Sequence, residues 1–156
     1  MKYMGSKNRH AKELLPIILK DRKPGQWYVE PFVGGCNMID KVDGLRWGND
    51  FHPHLIAMWQ SLQNGWLPPE FISEEIYKDL QEKKHINPLT AYVGFSLSFG
   101  GKFFGGYRRD KVGTKGCIDN MTTQSRRSFQ SIAKQAVELQ NVKFTNLSYQ
   151  NMDIPT

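Results

Sequence analysis

A glycine pair and two carboxylates in the first third of the sequence could form a ligand site. Gly34 and Gly35 directly follow a run of β-favouring residues, and a residue pair without side chains lets the backbone turn sharply and approach a ligand closely. Asp50 comes 20 positions after Glu30, at the end of the next β-favouring run. An acid at that spacing is placed to accept hydrogen bonds from ribose hydroxyl groups. The alternative for Asp50 is a turn residue or a cap of the helix that follows it.

Residues 99–134, here called the basic segment, carry the net charge of the chain. They contain eight Lys or Arg residues and two Asp residues, a balance of +6, and the formal net charge of the whole chain is also +6. A localised excess of basic residues is typical of a surface that contacts phosphates. The aromatic rings and glycines of residues 95–109 could stack on bases and let a backbone come close. The alternatives are a solvated basic loop and, for at least half of Phe95, Phe99 and Phe104, packing in a small core.

The elements that would position the glycines and the acids alternate between strand and helix. Hydrophobic patterning and β-branched or aromatic content predict strands over residues 27–32, 44–50 and 142–147. Helices are predicted over residues 8–20, with a kink or early stop at Pro16, and over residues 36–42 and 54–64. The order of strand, glycine turn, helix, strand and acid is typical of an α/β nucleotide-binding half.

The remaining sequence is predicted to be mainly helical. Helices are expected over residues 66–87, 89–98 and 124–139, and residues 100–120 are too rich in glycine for a long element. With 156 residues, 39% hydrophobic and 23% charged, the chain has the composition of one globular domain or of a core with one insertion.

The sequence also bears on the cellular location of the protein and on whether it binds a metal. No apolar run approaches the ~18 residues of a membrane helix, and the first residues lack the apolar stretch of a secretion signal. Two distant cysteines, Cys36 and Cys117, fit a reducing cytoplasm, which is the predicted location. No metal-binding spacing is present, and His52 and His54, which flank a proline, are predicted to lie in a solvated loop.

Three short motifs resemble those of the Dam-like DNA adenine-N6 methyltransferases. They are residues 2–7 (Lys-Tyr-Met-Gly-Ser-Lys), residues 29–35 (Val-Glu-Pro-Phe-Val-Gly-Gly) and Asn49-Asp50. The resemblance implies that the cofactor is the methyl donor S-adenosylmethionine. It also implies that Tyr3, Lys7 and Glu30 lie near the methionine part of the donor, that Gly34 and Gly35 lie near its sugar, and that Asp50 binds the ribose. Phe32 is a further cofactor-binding candidate. An exposed basic N-terminus is the alternative for Lys7.

Two later segments extend the resemblance. Residues 95–109 are similar to the target-recognition insertion of the family, which implies that the chain binds double-stranded DNA. Residues 144–149 resemble the strand before the catalytic loop, where Ser148 and Tyr149 would lie near the adenine of the donor. Ser148 stands where relatives often have an acid, which puts one adenine hydrogen bond in doubt. The DNA-contact candidates are Lys102, Tyr107, Arg108, Arg109, Arg126 and Arg127.

The resemblance predicts an α/β fold with a partial Rossmann-like class I methyltransferase sheet in strand order 3-2-1. Residues 1–65 and 140–156 would form the donor-binding half, and residues 66–139 a helical, basic target-recognition insertion. The Asp-Pro-Pro-Tyr element that holds the flipped adenine in this family is absent from the 156 residues. We therefore assign no catalytic residue, and we expect the chain alone to be inactive.

Without a fourth strand, the apolar first strand would have an unpaired edge, which predicts a homodimer, a second polypeptide that completes the sheet, or a chain cut down from a longer protein. Two alternatives to a donor-and-target part of an enzyme stay open. One is a degenerate, non-catalytic protein, for example one encoded by a phage, that binds DNA or inhibits a host protein. The other is a general α/β nucleotide-binding domain, which leaves the basic segment unexplained.

Overall fold

A small parallel sheet forms one layer of the protein. The computed structural model describes residues 1–109 and 120–155. Within them lie three parallel strands in the spatial order β1-β2-β3, with Tyr28 opposite Arg46 and Arg46 opposite Val142. The predicted order is confirmed, although each strand is shorter than predicted. The strands are β1 (Tyr28–Glu30), β2 (Arg46–Asn49) and β3 (Val142–Thr145).

Five α-helices in the described residues surround the sheet. They are α1 (Ala11–Ile18), α2 (Pro53–Gln63), α3 (Glu74–Lys83), α4 (Pro88–Ser96) and α5 (Asn120–Glu138). Helix α1 contains Pro16 and ends two residues later, as the predicted early stop requires. The predicted helix over residues 66–87 is reduced to α3, because Ser73 caps its start by accepting a hydrogen bond from the Ile76 amide (3.3 Å), and Lys84 ends it in a left-handed conformation.

The predicted helix over residues 36–42 is wrong, since only a 3₁₀ turn over Ile39–Lys41 forms there. Cys36 has a φ of +54°, a left-handed conformation outside the α-helical region. The carbonyl oxygens of Cys36 and of the first residue of the turn accept hydrogen bonds from Gln135 Nε2 and Arg46 Nη1 (3.0 and 3.1 Å). The left-handed conformation of Cys36 interrupts the helical backbone, and the side chains from other elements share carbonyls that also accept the Asp40 and Val42 amides (both 3.3 Å).

The hydrophobic core lies between the sheet, α2, α4 and α5. The predicted apolar face of α2 is confirmed, because Leu55, Met58, Trp59 and Leu62 are all buried. Helix α4 is buried from Thr90 to Ser96, and its start is capped by Asn87 Oδ1, which accepts the Thr90 amide at 2.7 Å. One cluster of buried hydrophobic residues contains members from both sides of the predicted boundary between residues 65 and 66. The division of the chain into a donor-binding half and an insertion stays a prediction.

The outer edge of β1 is unpaired within the described part of the chain. A groove of about 460 Å³ runs along it and is lined by Tyr28, Val29 and Trp27, with Ile17 and Ile18 of α1 on its flank. Ile17 and Ile18 are 72% and 54% exposed, so the groove has an apolar wall that faces solvent. Across residues 1–109 and 120–155, no helix combines the length and the apolar character needed to cross a membrane.

Candidate functional site

The carboxyl ends of the three strands meet at the side chain of Asn49, which is fully buried. Its Nδ2 donates hydrogen bonds to the carbonyl oxygens of Pro31 (3.1 Å) and Leu147 (3.0 Å). Its Oδ1 accepts hydrogen bonds from the Leu147 amide (3.0 Å) and the Thr145 hydroxyl (2.8 Å). Asn49 therefore fixes the loops that follow β1 and β3. Sequence reasoning noticed it only as the neighbour of Asp50 and missed this positioning role.

The glycine turn after β1 is held by Asp50 and Trp59. Gly34 has a φ of +46°, and its amide donates to Asp50 Oδ2 at 2.9 Å. The carbonyl of Gly34 accepts a hydrogen bond from Trp59 Nε1 at 3.0 Å. Asp50 Oδ1 also accepts the amide of His52, the residue before α2, at 2.9 Å. The carboxylate of Asp50 thus binds the glycine turn through one oxygen and the residue before α2 through the other.

The N-terminal segment lies directly on the glycine pair. A Cβ atom at Gly34 would be 2.6 Å from Tyr3 Cε1, and one at Gly35 would be 2.7 Å from Tyr3 Cβ. The amide of Met4 donates to the carbonyl of Gly101 at 3.1 Å. The bare backbone of the turn therefore admits the Tyr3 side chain, and the first residues cover the turn as the family resemblance implies.

A cavity of about 290 Å³, here called the glycine-turn cavity, lies under this segment. This is near the lower end of the range for small-molecule sites. Lys7 is exposed, and its Nζ donates to the Gly5 carbonyl at 2.8 Å. The structure brings six of the nine predicted cofactor-binding residues to the cavity wall: Tyr3, Lys7, Glu30, Phe32, Gly34 and Gly35.

Glu30 is the cavity residue with the most altered acidity. Its pKa is raised from 4.5 to about 7, chiefly by burial and in part by the negative charge of Asp40. A hydrogen bond from the Tyr28 hydroxyl to Glu30 Oε1 (2.9 Å) and the positive charge of Lys41 act in the opposite direction. A carboxyl group with a pKa near neutrality can change its charge with small changes in its surroundings, and its ionised form can pair with a cation.

Three predicted residues, Asp50, Ser148 and Tyr149, are not in the cavity wall. The ring of Tyr149 lies 5.4 Å from that of Phe32 at a tilt of 51°, and the two side chains are 55% and 68% exposed. Ser148 precedes a 3₁₀ turn over Tyr149–Asn151, and its carbonyl accepts the Asn151 amide at 2.9 Å. The two tilted rings form an exposed apolar patch next to the cavity, since Phe32 is part of the cavity wall.

The DNA-contact candidates fall into different environments. Tyr107 is half-buried, and its hydroxyl donates to the Ile72 carbonyl at 2.8 Å. Arg108 Nη2 donates to Ser128 Oγ at 3.1 Å. Arg109 forms an ion pair with Glu74 and lies over the Tyr107 ring, with Cζ 5.7 Å from its centroid. These contacts give Tyr107 a structural role in addition to any role in binding.

The other candidates lie on the surface. Arg126 Nε is 3.0 Å from Glu70 Oε1, and both side chains are more than half exposed. Lys102 and Arg127 are exposed. Lys111, Lys115 and Cys117 lie outside the described residues. Of the predicted core rings, Phe95 and Phe104 are buried as expected, whereas Phe99 is 75% exposed.

A cluster of rings beside the site was missed at the level of sequence. His52 and His54 lie 4.8 and 5.3 Å from the Phe103 ring, which also contacts Phe95 at 4.8 Å. The predicted solvated loop is wrong for His54, which is buried in α2. Burial lowers the pKa of both imidazoles. No group of three or more candidate metal ligands occurs in the part of the chain that the structure describes.

The parallel sheet and its helices make the chain an α/β protein, and α/β proteins commonly bind ligands in a cavity at the carboxyl ends of parallel strands. The chain belongs to the D12 class N6 adenine-specific DNA methyltransferases, because the model of that family matches residues 3–154. The resemblance stated from the three motifs is thereby confirmed. A search of curated proteins gives no match.

Proposed function

We propose that this chain is the donor-binding and DNA-recognition part of a site-specific DNA adenine-N6 methyltransferase. In that role it binds S-adenosylmethionine and duplex DNA for methyl transfer to adenine. Membership of the family supports the reaction class and DNA as substrate. The observation that supports the donor site is that residues 3–7 and residues 30–35 contribute to the wall of one cavity, and that Asp50 binds the amide of Gly34 in that wall.

The chemistry of the glycine-turn cavity fits the methyl donor. Lys7 at its wall can pair with the carboxylate of the methionine part, and Glu30 can pair with its ammonium group. Each carboxylate oxygen of Asp50 accepts one backbone amide and keeps a further lone pair for a ribose hydroxyl. Phe32 and Tyr149 flank the adenine, beside Ser148, which lacks the acid of its relatives.

The donor supplies an electrophilic methyl group on a sulfonium, and the protein must hold the target amine in line with it. The 156 residues contain no Asp-Pro-Pro-Tyr sequence for that task. The isolated chain therefore binds donor and DNA without transferring the methyl group. The alternative, a degenerate, non-catalytic family member that binds DNA or a host protein, predicts weak or nil donor binding.

The proposed function divides the fold into a donor-binding part and a target-recognition insertion. Residues 1–65 and 140–156, with the three strands, form the donor-binding part of a Rossmann-like sheet. Residues 66–139 form the target-recognition insertion, which carries α3, α4, α5 and all six DNA-contact candidates. The parallel sheet and the helices described within residues 66–109 and 120–139 support this division.

The groove along β1 is the place where a further strand completes the sheet. Its backbone edge and the exposed isoleucines of α1 favour a second copy of the chain or a second polypeptide. Sedimentation of the chain should show a dimer, or a stable complex once a polypeptide with the remaining strands is added. A monomer that binds neither would refute this part of the proposal.

Titration calorimetry with S-adenosylmethionine tests the donor site. Replacing Lys7 with glutamine should weaken binding about tenfold, because one charge-assisted contact is lost. Lys12→Gln is the matched control, since Lys12 is an exposed lysine of α1 outside the cavity wall. Equal affinities for the two variants would remove Lys7 from the site, and no heat of binding for the unmodified protein would favour the non-catalytic candidate.

A further inference from the structure

A second cavity, here called the α4–α5 cavity, lies where Lys2, the end of α4 and one face of α5 meet. Its volume is about 290 Å³. Helix α5 contributes Gln124, Arg127, Ser128 and Ser131, whose i, i+3, i+4 and i+7 spacing places them on one helix face. This cavity is separate from the glycine-turn cavity, with which it shares no lining residue.

The lining of the α4–α5 cavity is positively charged. Lys2, Arg108 and Arg127 contribute to its wall, and no acidic residue does among the described residues. Three cationic side chains in one wall create a local positive field.

Ser128 fixes the geometry of this wall. Its hydroxyl donates to the carbonyl of Ser96 at 3.2 Å and accepts a hydrogen bond from Arg108 Nη2 at 3.1 Å. One serine thus ties the end of α4, the face of α5 and the guanidinium group together. A site held by packed helices keeps its donors in place without a ligand, which lowers the entropy cost of binding.

Buried hydroxyl groups without partners lie at the same place. Ser96 is 2% exposed, lines the cavity, and its Oγ has no hydrogen-bond partner in the described structure. Tyr92, one turn earlier on α4, is fully buried, and its hydroxyl has none either. Burial raises the pKa of Tyr92, and the positive charge of Arg108 opposes this rise, so the guanidinium lies near the phenol. An unsatisfied buried hydroxyl destabilises the fold, and a ligand that accepts its proton would recover that energy.

We propose that the α4–α5 cavity binds a phosphate group, and that this group belongs to the backbone of the DNA substrate. A phosphate offers only acceptor oxygens, which complement a lining of cations and hydroxyl donors. The phosphate contact positions the duplex on the protein and reads no base itself. The assignment of the phosphate to DNA rests on the proposed function, whereas the phosphate site itself rests on the cavity.

Fluorescence anisotropy with a labelled adenine-containing duplex tests the site. Arg127→Gln should weaken DNA binding about tenfold at about 0.1 M salt and reduce the salt slope by about 0.9, the value for one phosphate contact. Arg9→Gln is the matched control, because it removes the same charge from an exposed arginine that lies outside the cavity wall and is not a DNA-contact candidate. It should change binding less than threefold, where threefold corresponds to about 0.6 kcal/mol.

Ser96→Ala separates binding from folding. It removes a buried hydroxyl that has no partner in the described structure, so the thermal midpoint should stay unchanged or rise while DNA binding weakens several-fold. In a series of duplexes, each phosphate is replaced in turn by an uncharged methylphosphonate. At one position this replacement should weaken DNA binding by the unmodified protein but not by the Arg127→Gln variant. Additive losses at every position would overturn the assignment of a single phosphate to Arg127.

The outcomes distinguish the cavity from the proposed function. If the unmodified protein binds DNA and both arginine variants bind equally well, the DNA-phosphate assignment falls and the proposed function stands. If the unmodified protein binds no DNA, the proposed DNA-recognition role falls, and a titration with inorganic phosphate followed by ³¹P NMR decides the site. Phosphate binding that is lost in Arg127→Gln and kept in Arg9→Gln would retain the site with free phosphate as ligand, and its absence would overturn it.

Discussion

Replacing Glu30 with glutamine should stabilise the protein at about pH 8. Glu30 lies in the wall of the glycine-turn cavity, and burial raises its pKa from 4.5 to about 7. At pH 8 the folded protein therefore holds an ionised carboxylate in a site that disfavours the charge. Glutamine is isosteric and neutral, and its side-chain oxygen can still accept the hydrogen bond that the Tyr28 hydroxyl donates to Glu30 Oε1 at 2.9 Å.

The size of the effect follows from the difference between the two pKa values. Between pH 4.5 and about 7 the folded state keeps a proton on Glu30 that the unfolded chain has lost, so stability falls as the pH rises through this window. At 1.36 kcal/mol per pKa unit, the difference corresponds to about 3 kcal/mol once Glu30 is ionised in both states. Below pH 4.5 the carboxyl group is neutral in both states, and this contribution is fully retained.

Urea denaturation at about pH 4 and pH 8 measures this difference. The free energy of unfolding of Glu30→Gln minus that of the unmodified protein should rise by about 3 kcal/mol between the two conditions. Glu13→Gln makes the same chemical change at an exposed position of α1 and should show no such rise. A pH-independent difference for Glu30→Gln would refute the burial argument. In calorimetry at pH 8, the same variant should bind the methyl donor more weakly despite its greater stability.

Two further substitutions test the packing of the N-terminal segment over the glycine turn and the hydrogen bond that holds this turn. Gly101→Ala should be more destabilising than Gly100→Ala by about 1–3 kcal/mol, because both positions have a positive φ, but only at Gly101 would a Cβ lie 2.8 Å from the Tyr3 backbone. Equal losses in thermal denaturation would show that Tyr3 does not pack there. Trp59→Phe should cost about 1–3 kcal/mol, because it leaves the buried Gly34 carbonyl without its 3.0 Å hydrogen bond. A loss below about 0.5 kcal/mol would contradict the role of Trp59 in holding the turn.

The sheet and the cavity residues could be predicted because local signals and family motifs agree on them. Strands β1 and β2 follow from their β-branched and aromatic residues, and the glycine pair and Asp50 follow from their spacing. The Asp50 carboxylate and the Gly34 amide, 16 residues apart in sequence, do lie within hydrogen-bond distance. Periodicity alone also placed the buried face of α2, since Leu55, Met58 and Leu62 repeat at helical spacing.

The sequence predictions fail where side chains from distant parts of the sequence form hydrogen bonds with the backbone. The helix over residues 36–42 does not form, because Cys36 adopts a left-handed conformation, and its carbonyl accepts a hydrogen bond from Gln135 in addition to that from the Asp40 amide. Gln135 lies 99 positions from Cys36 along the chain, outside any local pattern. The clamp made by Asn49 is hidden for the same reason, since its partners lie on two other segments, at residue 31 and at residues 145–147. Tertiary contacts of this kind override local propensity.

A crystal structure with S-adenosylhomocysteine, the spent form of the methyl donor, tests the donor site most directly. We expect the product in the glycine-turn cavity, with its amino acid end between Lys7 and Glu30 and its ribose hydroxyl groups on Asp50. An empty cavity in crystals grown with saturating product, or product bound only elsewhere on the protein, would contradict the proposed donor site.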